Sequence, residues 1–143
     1  MERVIEFAAN HPILVGGFLV ILAALIITEL GRLRRGFREV GALQAVQMIN
    51  RENAAIIDVS AAADYHKAHI VGAINVPVSQ LDGGNPQLVK LKDRPLVVYC
   101  KNGMTANQAA AKLTGMGLGP VVVLRGGMAQ WQADKQPVVS GRA

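Results

Sequence analysis

Cysteine and charge are both scarce in this sequence of 143 residues. Cys100 is the only cysteine, which excludes an intramolecular disulfide framework. Together with His11, His66 and His69 it makes no ligand set for structural zinc, and we expect neither a metal nor a cofactor. Charged residues account for 17% of the chain, against about 25% in typical proteins, while hydrophobic residues reach 51%. The composition therefore excludes a disordered chain and a highly charged nucleic-acid-binding arm.

Much of the apolar excess lies near the N-terminus. Of the 17 residues from Pro12 to Thr28, 13 are apolar, and no charged side chain occurs between Glu6 and Glu29. As a helix, residues 7–28 would extend about 33 Å, enough to cross a hydrocarbon core of about 30 Å. The sequence therefore predicts a transmembrane helix over residues 7–28. The alternative is a buried hydrophobic helix of a soluble domain.

Charged residues flank this apolar run unevenly. On the N-terminal side, Arg3 is balanced by Glu2 and Glu6, so the segment lacks the basic start of a cleaved signal peptide. On the C-terminal side stand four arginines, Arg32, Arg34, Arg35 and Arg38. The positive-inside rule then predicts an uncleaved single-pass anchor, with the N-terminus outside and the following domain in the cytoplasm. A basic cluster in this position favours lipid headgroups, and we expect no nucleic-acid partner.

Shorter elements follow the anchor. We assign residues 1–39 to the transmembrane anchor and a basic linker, and residues 40–143 to a folded domain. In that domain, segments with helical spacing alternate with short β-branched runs. The predicted helices span residues 42–50, 61–67 and 106–116, and the predicted strands or extended segments span residues 55–59, 70–76, 96–99 and 121–124. This alternation predicts an α/β fold, with a parallel sheet flanked by helices.

Cys100 directly follows one of the predicted buried strands. In parallel sheets, ligands bind outside the carboxyl ends of the strands. Gly103 permits a tight turn in which backbone N–H groups point at the sulfur, and the N-terminus of the next helix adds a positive partial charge. The sequence therefore favours a nucleophilic thiol, with Lys101 and Thr105 as polar neighbours. The alternative is that Cys100 is an inert core residue.

Several segments, in order, resemble those of the rhodanese-like sulfurtransferases. They are Ile56-Ile57-Asp58-Val59, then Tyr65 with His69-Ile70-Val71-Gly72-Ala73-Ile74-Asn75-Val76-Pro77, then Val97-Val98-Tyr99-Cys100 with its loop, and Leu124-Arg125-Gly126-Gly127 with Trp131 and Pro137-Val138. The resemblance covers residues 40–139. With its predicted anchor, the whole chain is similar to the membrane-anchored rhodanese-like proteins of Gram-negative bacteria, which implies the bacterial inner membrane.

The resemblance implies a sulfurtransferase that carries sulfane sulfur as a persulfide on Cys100. The donor would be a small compound such as thiosulfate or a persulfide, and the acceptor a thiol or a carrier protein. The loop Cys100–Thr105 has the six-residue length that the family associates with sulfur transfer. The implied substrate-binding residues are Lys101, Asn102, Gly103, Met104 and Thr105, with backbone amides of Lys101 to Thr105 stabilising the sulfur. Arg125 follows a predicted strand end on the same side and is a further candidate for binding an anionic donor.

Asp58 and His69 are candidates for a catalytic acid and base. We expect both to be structural residues near the site, because persulfide transfer needs no base once the thiolate exists. The chain also departs from the family pattern at two positions. Ser60 follows Asp58-Val59 where an arginine is common, and Asn102 stands where a second basic residue is common. The first departure predicts a different domain-stabilising charge network, and the second leaves the choice of donor open.

Two other functions compete with the sulfurtransferase. A related phosphatase would clamp phosphate with a loop arginine, but no arginine follows Cys100 before Arg125, so we exclude it. The remaining alternative is a rhodanese-like interaction module at the inner membrane with little or no catalytic activity. In the anchor, Gly16 and Gly17 offer a close-approach surface for a membrane-protein partner. The retained cysteine and its intact loop favour the enzyme.

Overall fold

The computed structural model of the protein describes residues 1–33 and 36–142, with the side chains of residues 32 and 33 not included. Arg34 and Arg35 of the predicted basic cluster, and the side chain of Arg32, therefore lie outside the described residues. The chain divides into two compact units, Met1–Arg35 and Gly36–Ala143.

Two helices make up the described part of the first unit, α1 (Glu2–Asn10) and α2 (Pro12–Leu33). They are separated at His11, whose φ of −130° and ψ of 59° lie outside the helical region. Within α2, residues Pro12–Gly31 form a helix long and apolar enough to cross a membrane, with a mean hydropathy of 2.6. None of this segment is buried among the described residues. It is consistent with a single-pass membrane anchor.

The candidate span differs from the predicted residues 7–28. Residues 7–10 belong to α1, and the apolar helix begins at Pro12. Proline fits the first turn of a helix, but it cannot donate the hydrogen bond that would join it to a preceding helix. The start of the span therefore shifts to Pro12, and its end shifts to Gly31.

The second unit is built on a five-stranded sheet, whose strands are β1 (Phe37–Val40), β2 (Ala55–Asp58), β4 (Ile74–Asn75), β5 (Leu96–Tyr99) and β6 (Val121–Leu124). Their order in the sheet is β1-β6-β5-β2-β4, and every neighbouring pair is parallel. A separate antiparallel pair joins β3 (His69–Ile70) to β7 (Val138–Val139). The predicted α/β class with a parallel sheet is confirmed.

Helices cover both faces of the sheet. They are α3 (Ala42–Arg51), α4 (Ala62–Lys67), α5 (Pro86–Val89), α6 (Met104–Gly115) and α7 (Gly127–Ala133), with a 3₁₀ helix at Val78–Gln80. Leu88 of α5 and Leu113 of α6 pack on one face, which we call the α6 face. Met48 of α3 and Trp131 of α7 pack on the opposite face, which we call the α7 face. Strands β2, β5 and β6 are therefore buried at every position.

The structure differs from the sequence predictions at two strands. Phe37–Val40 pairs with β6 at the sheet edge, in a segment that the sequence assigns largely to the linker. The folded unit therefore begins at Gly36. The predicted extended segment 70–76 is divided by a turn in which Gly72 has a φ of +82°. Its two ends consequently join different sheets, as β3 and β4.

Candidate active site

Cys100 lies at the carboxyl end of β5, the central strand of the sheet. The four apolar residues of β5 are buried, and their side chains alternate between the two faces. Cys100 continues this alternation and packs in the cluster of the α6 face, with 3% of its surface exposed. Its position between a buried strand and a helix is the one that the sequence predicts.

The loop after Cys100 turns sharply back toward the sulfur. Gly103 has a φ of +92°, which side-chain-bearing residues rarely adopt, and it caps the N-terminus of α6. In this conformation the Gly103 N–H donates a hydrogen bond to the Cys100 Sγ at 3.0 Å. The sulfur thus receives one backbone N–H next to the positive end of a helix of 12 residues. This environment stabilises negative charge on sulfur.

Asn102 uses the next amide of the loop. Its Oδ1 accepts the Met104 N–H at 3.2 Å and lies 3.8 Å from the Cys100 Sγ, whose thiol donates to it. The resemblance implies that the backbone amides of Lys101 to Thr105 stabilise the sulfur, but in the structure fewer of these N–H groups reach it. Gly103 supplies the N–H that reaches the sulfur, while the Met104 N–H is taken by the Asn102 side chain.

The loop also rests on the start of α7. The Cys100 carbonyl accepts the Met128 N–H at 2.9 Å, and the Lys101 carbonyl accepts the Ala129 N–H at 3.1 Å. Gly127 has a φ of +59°, and a Cβ there would overlap the Cys100 carbonyl oxygen. Two consecutive glycines at the start of α7 thus let the two backbones approach each other closely. The resemblance includes this glycine pair, but its contact with the cysteine loop could not be inferred from the sequence.

Two cavities of about 220 Å³ each border the loop. The first is lined by Asp58, Ser60, Lys101 and Gln132, among others, and also by Tyr99 and Met128, which belong to the α7 face. The second is lined by four other predicted donor-binding residues, Asn102, Gly103, Met104 and Arg125. The structure therefore separates Lys101 from Arg125 and places Thr105 in the exposed first turn of α6.

Arg125 and Asn107 shape the second cavity. Arg125 Nε lies 3.8 Å from the Glu39 Oε2, and both side chains remain substantially exposed. The Asn107 Nδ2 donates to the Gly103 carbonyl at 3.4 Å, while its Oδ1 is buried with no hydrogen-bond partner among the described residues. Asn107 was missed by the sequence reasoning, although its spacing of four residues from Gly103 on a helix is a usable signal.

Asp58 ends β2 on the α7 face and is 1% exposed. One carboxylate oxygen, Oδ1, accepts both the Ser60 N–H at 2.9 Å and the Ser60 hydroxyl. The Asn75 side chain donates to the Asp58 carbonyl at 3.1 Å and so ties β4 to the same corner. The network around Asp58 is therefore local and uses serine, in line with the departure seen at position 60.

His69 packs against Tyr65, which belongs to the cluster of the α7 face. Its ring stacks on Tyr65 with a centroid separation of 3.8 Å and an interplanar angle of 11°. The Nδ1 lies 2.8 Å from the Tyr65 carbonyl, which can only accept, so Nδ1 carries a proton. His69 is buried and lines neither of the two cavities.

The pKa values of two buried tyrosines, Tyr99 and Tyr65, are raised in the folded chain. Burial, and then the negative charge of Asp58, raise the pKa of Tyr99 far above its ordinary value. The same two causes raise the pKa of Tyr65. The Tyr99 hydroxyl accepts the Ile70 N–H at 3.0 Å, and the Tyr65 hydroxyl donates to the Ala73 carbonyl at 2.7 Å. Both phenols are therefore neutral structural groups at neutral pH.

Fold and site together define an α/β protein with one buried thiol at the carboxyl end of a central parallel strand, facing a helix N-terminus. The chain belongs to the Rhodanese-like domain family, whose model matches residues 42–134. The resemblance found in the sequence is confirmed.

Three similar proteins illustrate this membership. The uncharacterized protein YibN of Escherichia coli is 32% identical over 143 residues, which covers 99% of this chain and 100% of that relative. A sulfurtransferase of Allochromatium vinosum is 29% identical over 94 residues, covering 66% of this chain and 86% of that protein. The crystal structure of a thiosulfate sulfurtransferase from Pseudomonas aeruginosa superposes with a TM-score of 0.65 at 28% identity, covering 73% of this chain and 19% of that one. Relatives of the chain therefore include sulfurtransferases.

Proposed function

We propose that the protein is a membrane-tethered sulfurtransferase that carries sulfane sulfur as a persulfide on Cys100. The observation that carries the proposal is the Gly103 N–H donated to the Cys100 Sγ at 3.0 Å, at the N-terminus of α6. A thiolate and a terminal persulfide sulfur are both anionic, and both gain from a fixed N–H donor and a helix N-terminus. Membership of a family with sulfurtransferase relatives supports the same chemistry.

The reaction proceeds in two displacements that balance without an external oxidant. In the first, the Cys100 thiolate attacks the sulfane sulfur of the donor, and an S–S bond forms at Cys100. The bond between that sulfur and the rest of the donor breaks, and the leaving group, sulfite in the case of thiosulfate, departs with the electron pair. In the second, the acceptor attacks the outer sulfur and the Cys100 thiolate leaves. The acceptor is a thiol, a protein thiol or another thiophile.

We assign donor binding to the loop Lys101–Thr105 and to Arg125. Lys101 is exposed beside the first cavity, and Arg125 is exposed beside the second. The 3.8 Å pair of Arg125 with Glu39 is loose, so a small anion can compete for the guanidinium. Met104 is 75% exposed and gives the mouth of the site an apolar contact for a protein acceptor.

Asp58 and His69 are assigned as structural residues near the site. The Asp58 carboxylate accepts two hydrogen bonds from Ser60, and the His69 ring is stacked against Tyr65. Asp58 lines the first cavity together with Tyr99 and Met128 of the α7 face, and His69 lines neither cavity. Their role in this proposal is to hold the turns after β2 and α4.

The tether places this chemistry at the bacterial inner membrane. A helix over Pro12–Gly31 would extend about 30 Å, which matches the hydrocarbon core. The arginines after it predict the N-terminus outside and the rhodanese-like domain in the cytoplasm. We place the boundary between anchor and domain at Gly36, because a domain cut at residue 40 would lose most of β1. The orientation can be tested with a C-terminal reporter enzyme that functions only in the periplasm. If this reporter is active, the cytoplasmic orientation of the domain is wrong.

The proposal is tested by weighing the intact full-length protein, in detergent, after incubation with thiosulfate or with an organic persulfide. We expect a mass gain of one sulfur atom, reversed by cyanide or a thiol, and absent in Cys100→Ser. Cys100→Ser is close to isosteric, so we expect this variant to fold. Circular dichroism checks that it does. A full-length protein that gains no sulfur from any donor, yet captures a defined membrane protein, would instead be the interaction module.

A further inference from the structure

Helix α1 has two chemically distinct sides. At 100° per residue, the apolar residues Val4, Ile5, Phe7 and Ala8 fall within an arc of about 160°, and Ala9 lies at the edge of this arc. Its polar residues Glu2, Arg3, Glu6 and Asn10 share the opposite arc. No residue of α1 is buried, and Val4 and Ile5 are each more than two-thirds exposed. Apart from Phe7, whose ring centroid lies 4.8 Å from that of His11, this apolar face has no partner among the described residues.

Helix α2 is long enough to cross the bilayer without α1. The helix over Pro12–Gly31 alone matches the hydrocarbon thickness of about 30 Å. Three charged residues in nine make α1 a poor segment for the hydrocarbon core. The break at His11 and Pro12 separates the two helices, so α1 need not continue the axis of α2. Helix α1 would therefore lie next to the bilayer surface, where the span over Pro12–Gly31 begins.

We infer that α1 is an interfacial helix, with its apolar face in the outer leaflet of the membrane that α2 crosses. This inference rests on the proposed membrane tether. A helix of nine residues is marginal by itself in water, but α2 keeps it permanently at the surface, which raises its effective concentration there. Interfacial helices of this type sink their apolar side into the boundary between headgroups and acyl chains.

The charges of α1 give it no preference for anionic lipid over other lipids. Glu2 and Glu6 outnumber Arg3 on the polar side, so α1 has no net positive charge. Its attachment therefore comes from apolar contact, and we expect no dependence on salt or on the fraction of anionic lipid.

The test is a nitroxide scan of the full-length chain in vesicles of phosphatidylethanolamine and phosphatidylglycerol. Single cysteines are introduced in the Cys100→Ser background at Val4, on the apolar face, and at Glu6, the matched position on the polar face. Ala24→Cys, within α2, reports the tether. Collision with oxygen measures contact with lipid, and collision with a water-soluble nickel chelate measures contact with water.

We expect lipid contact at Val4, water contact at Glu6, and a period of about 3.6 residues when the scan is extended over α1. Water contact at both positions, with Ala24 in lipid, would overturn the interfacial helix and leave the tether intact. Lipid contact at both would make α1 part of the span. Water contact at Ala24 would overturn the tether and this inference together. Protection of Val4 in native membranes but not in vesicles would assign the face to a protein.

Discussion

Strands β2 and β5 are neighbours in the sheet, and each leads to a buried polar side chain at the same edge. Asp58 is the register partner of Tyr99, and Cys100 is the next residue along β5. Cys100 packs on the α6 face, whereas Asp58 borders a cavity with residues of the α7 face. The Asp58 carboxylate is held by the serine two residues later in its own chain segment. The Cys100 sulfur receives the Gly103 N–H and faces the N-terminus of α6.

The difference teaches how to separate a structural polar group from a reactive one when both are buried. A carboxylate whose lone pairs are used by local donors stabilises a turn, and a reaction at that oxygen would cost those bonds. A sulfur beside a helix N-terminus with a single N–H donor gains when it becomes anionic. Burial is the same at both strand ends, so the arrangement of hydrogen bonds distinguishes them.

The largest expected effect compares a substitution at each strand end. Cys100→Ala should abolish the gain of one sulfur atom, because the Cys100 thiolate is the nucleophile that forms the persulfide in the proposed reaction. Asp58→Asn keeps an Oδ1 acceptor for Ser60 and should retain sulfur transfer to cyanide within a few-fold of the unmodified protein. Single-turnover transfer, followed by intact-protein mass, measures both. Loss of transfer in a folded Asp58→Asn protein would make Asp58 part of the chemistry.

The second effect concerns the backbone that supports the cysteine loop. Gly126 and Gly127 have φ values of +72° and +59°, so alanine at either position costs about 1–2 kcal/mol of stability. At Gly127 the new Cβ also overlaps the Cys100 carbonyl, which adds about 1–3 kcal/mol and displaces the loop. At Gly126 the three atoms nearest to the new Cβ all belong to Gln130, whose Cβ lies at 2.6 Å, so the strain falls within α7 and not on the cysteine loop.

Gly127→Ala should therefore lower both the free energy of unfolding and the rate of persulfide formation more than Gly126→Ala does. Urea unfolding followed by Trp131 fluorescence gives the first quantity, and the time course of sulfur loading gives the second. Equal effects of the two substitutions would mean that the contact between the cysteine loop and α7 does not support the site.

Local patterns predicted the elements that carry the site. The strands at 96–99 and 121–124 have the predicted bounds, because continuous apolar runs are typical of strands covered on both faces. Helix α6 begins at Met104, two residues before the prediction, because Gly103 and the Asn102 side chain cap it earlier. The predicted α3 and α4 differ from the observed helices by a single residue at one end.

Long-range contacts could not be predicted from the sequence. Strand β1 was hidden in a basic segment, because an edge strand such as Phe37–Val40 keeps two exposed charged residues. The meeting of Gly127 with the Cys100 carbonyl joins segments 27 residues apart, and no local pattern signals such a contact. The same holds for the placement of Lys101 and Arg125 beside different cavities.

The third effect lies on the side of Asp58 and depends on pH. The pKa values of Tyr99 and Tyr65 are raised in the folded chain, first by burial and then by the Asp58 charge. Their contribution to stability is therefore complete below the unfolded pKa of about 10 and is lost as pH rises toward the folded values. The free energy of unfolding should fall between about pH 9 and pH 11.

Tyr99→Phe removes one of these titrating groups, so the free energy of unfolding should decrease less steeply at alkaline pH. Asp58→Asn removes the negative charge that is the smaller cause of the raised pKa values, so it should also reduce the decrease. Both are measured by urea unfolding at a series of alkaline pH values, with Trp131 fluorescence as the signal. A fall that is identical in all three proteins would assign the alkaline sensitivity to other groups.

The smallest effect tests the local hold on Asp58. Ser60→Ala removes the hydroxyl donor to Oδ1 and leaves the backbone N–H in place, so it should cost about 1 kcal/mol of stability. Ser140→Ala, at an exposed serine, is the matched control and should stay within about 0.5 kcal/mol of the unmodified protein. Sulfur loading should be unchanged in both, because neither serine approaches the sulfur in the proposed mechanism. A Ser60→Ala protein of normal stability that loads sulfur slowly would link the end of β2 to the chemistry at the end of β5.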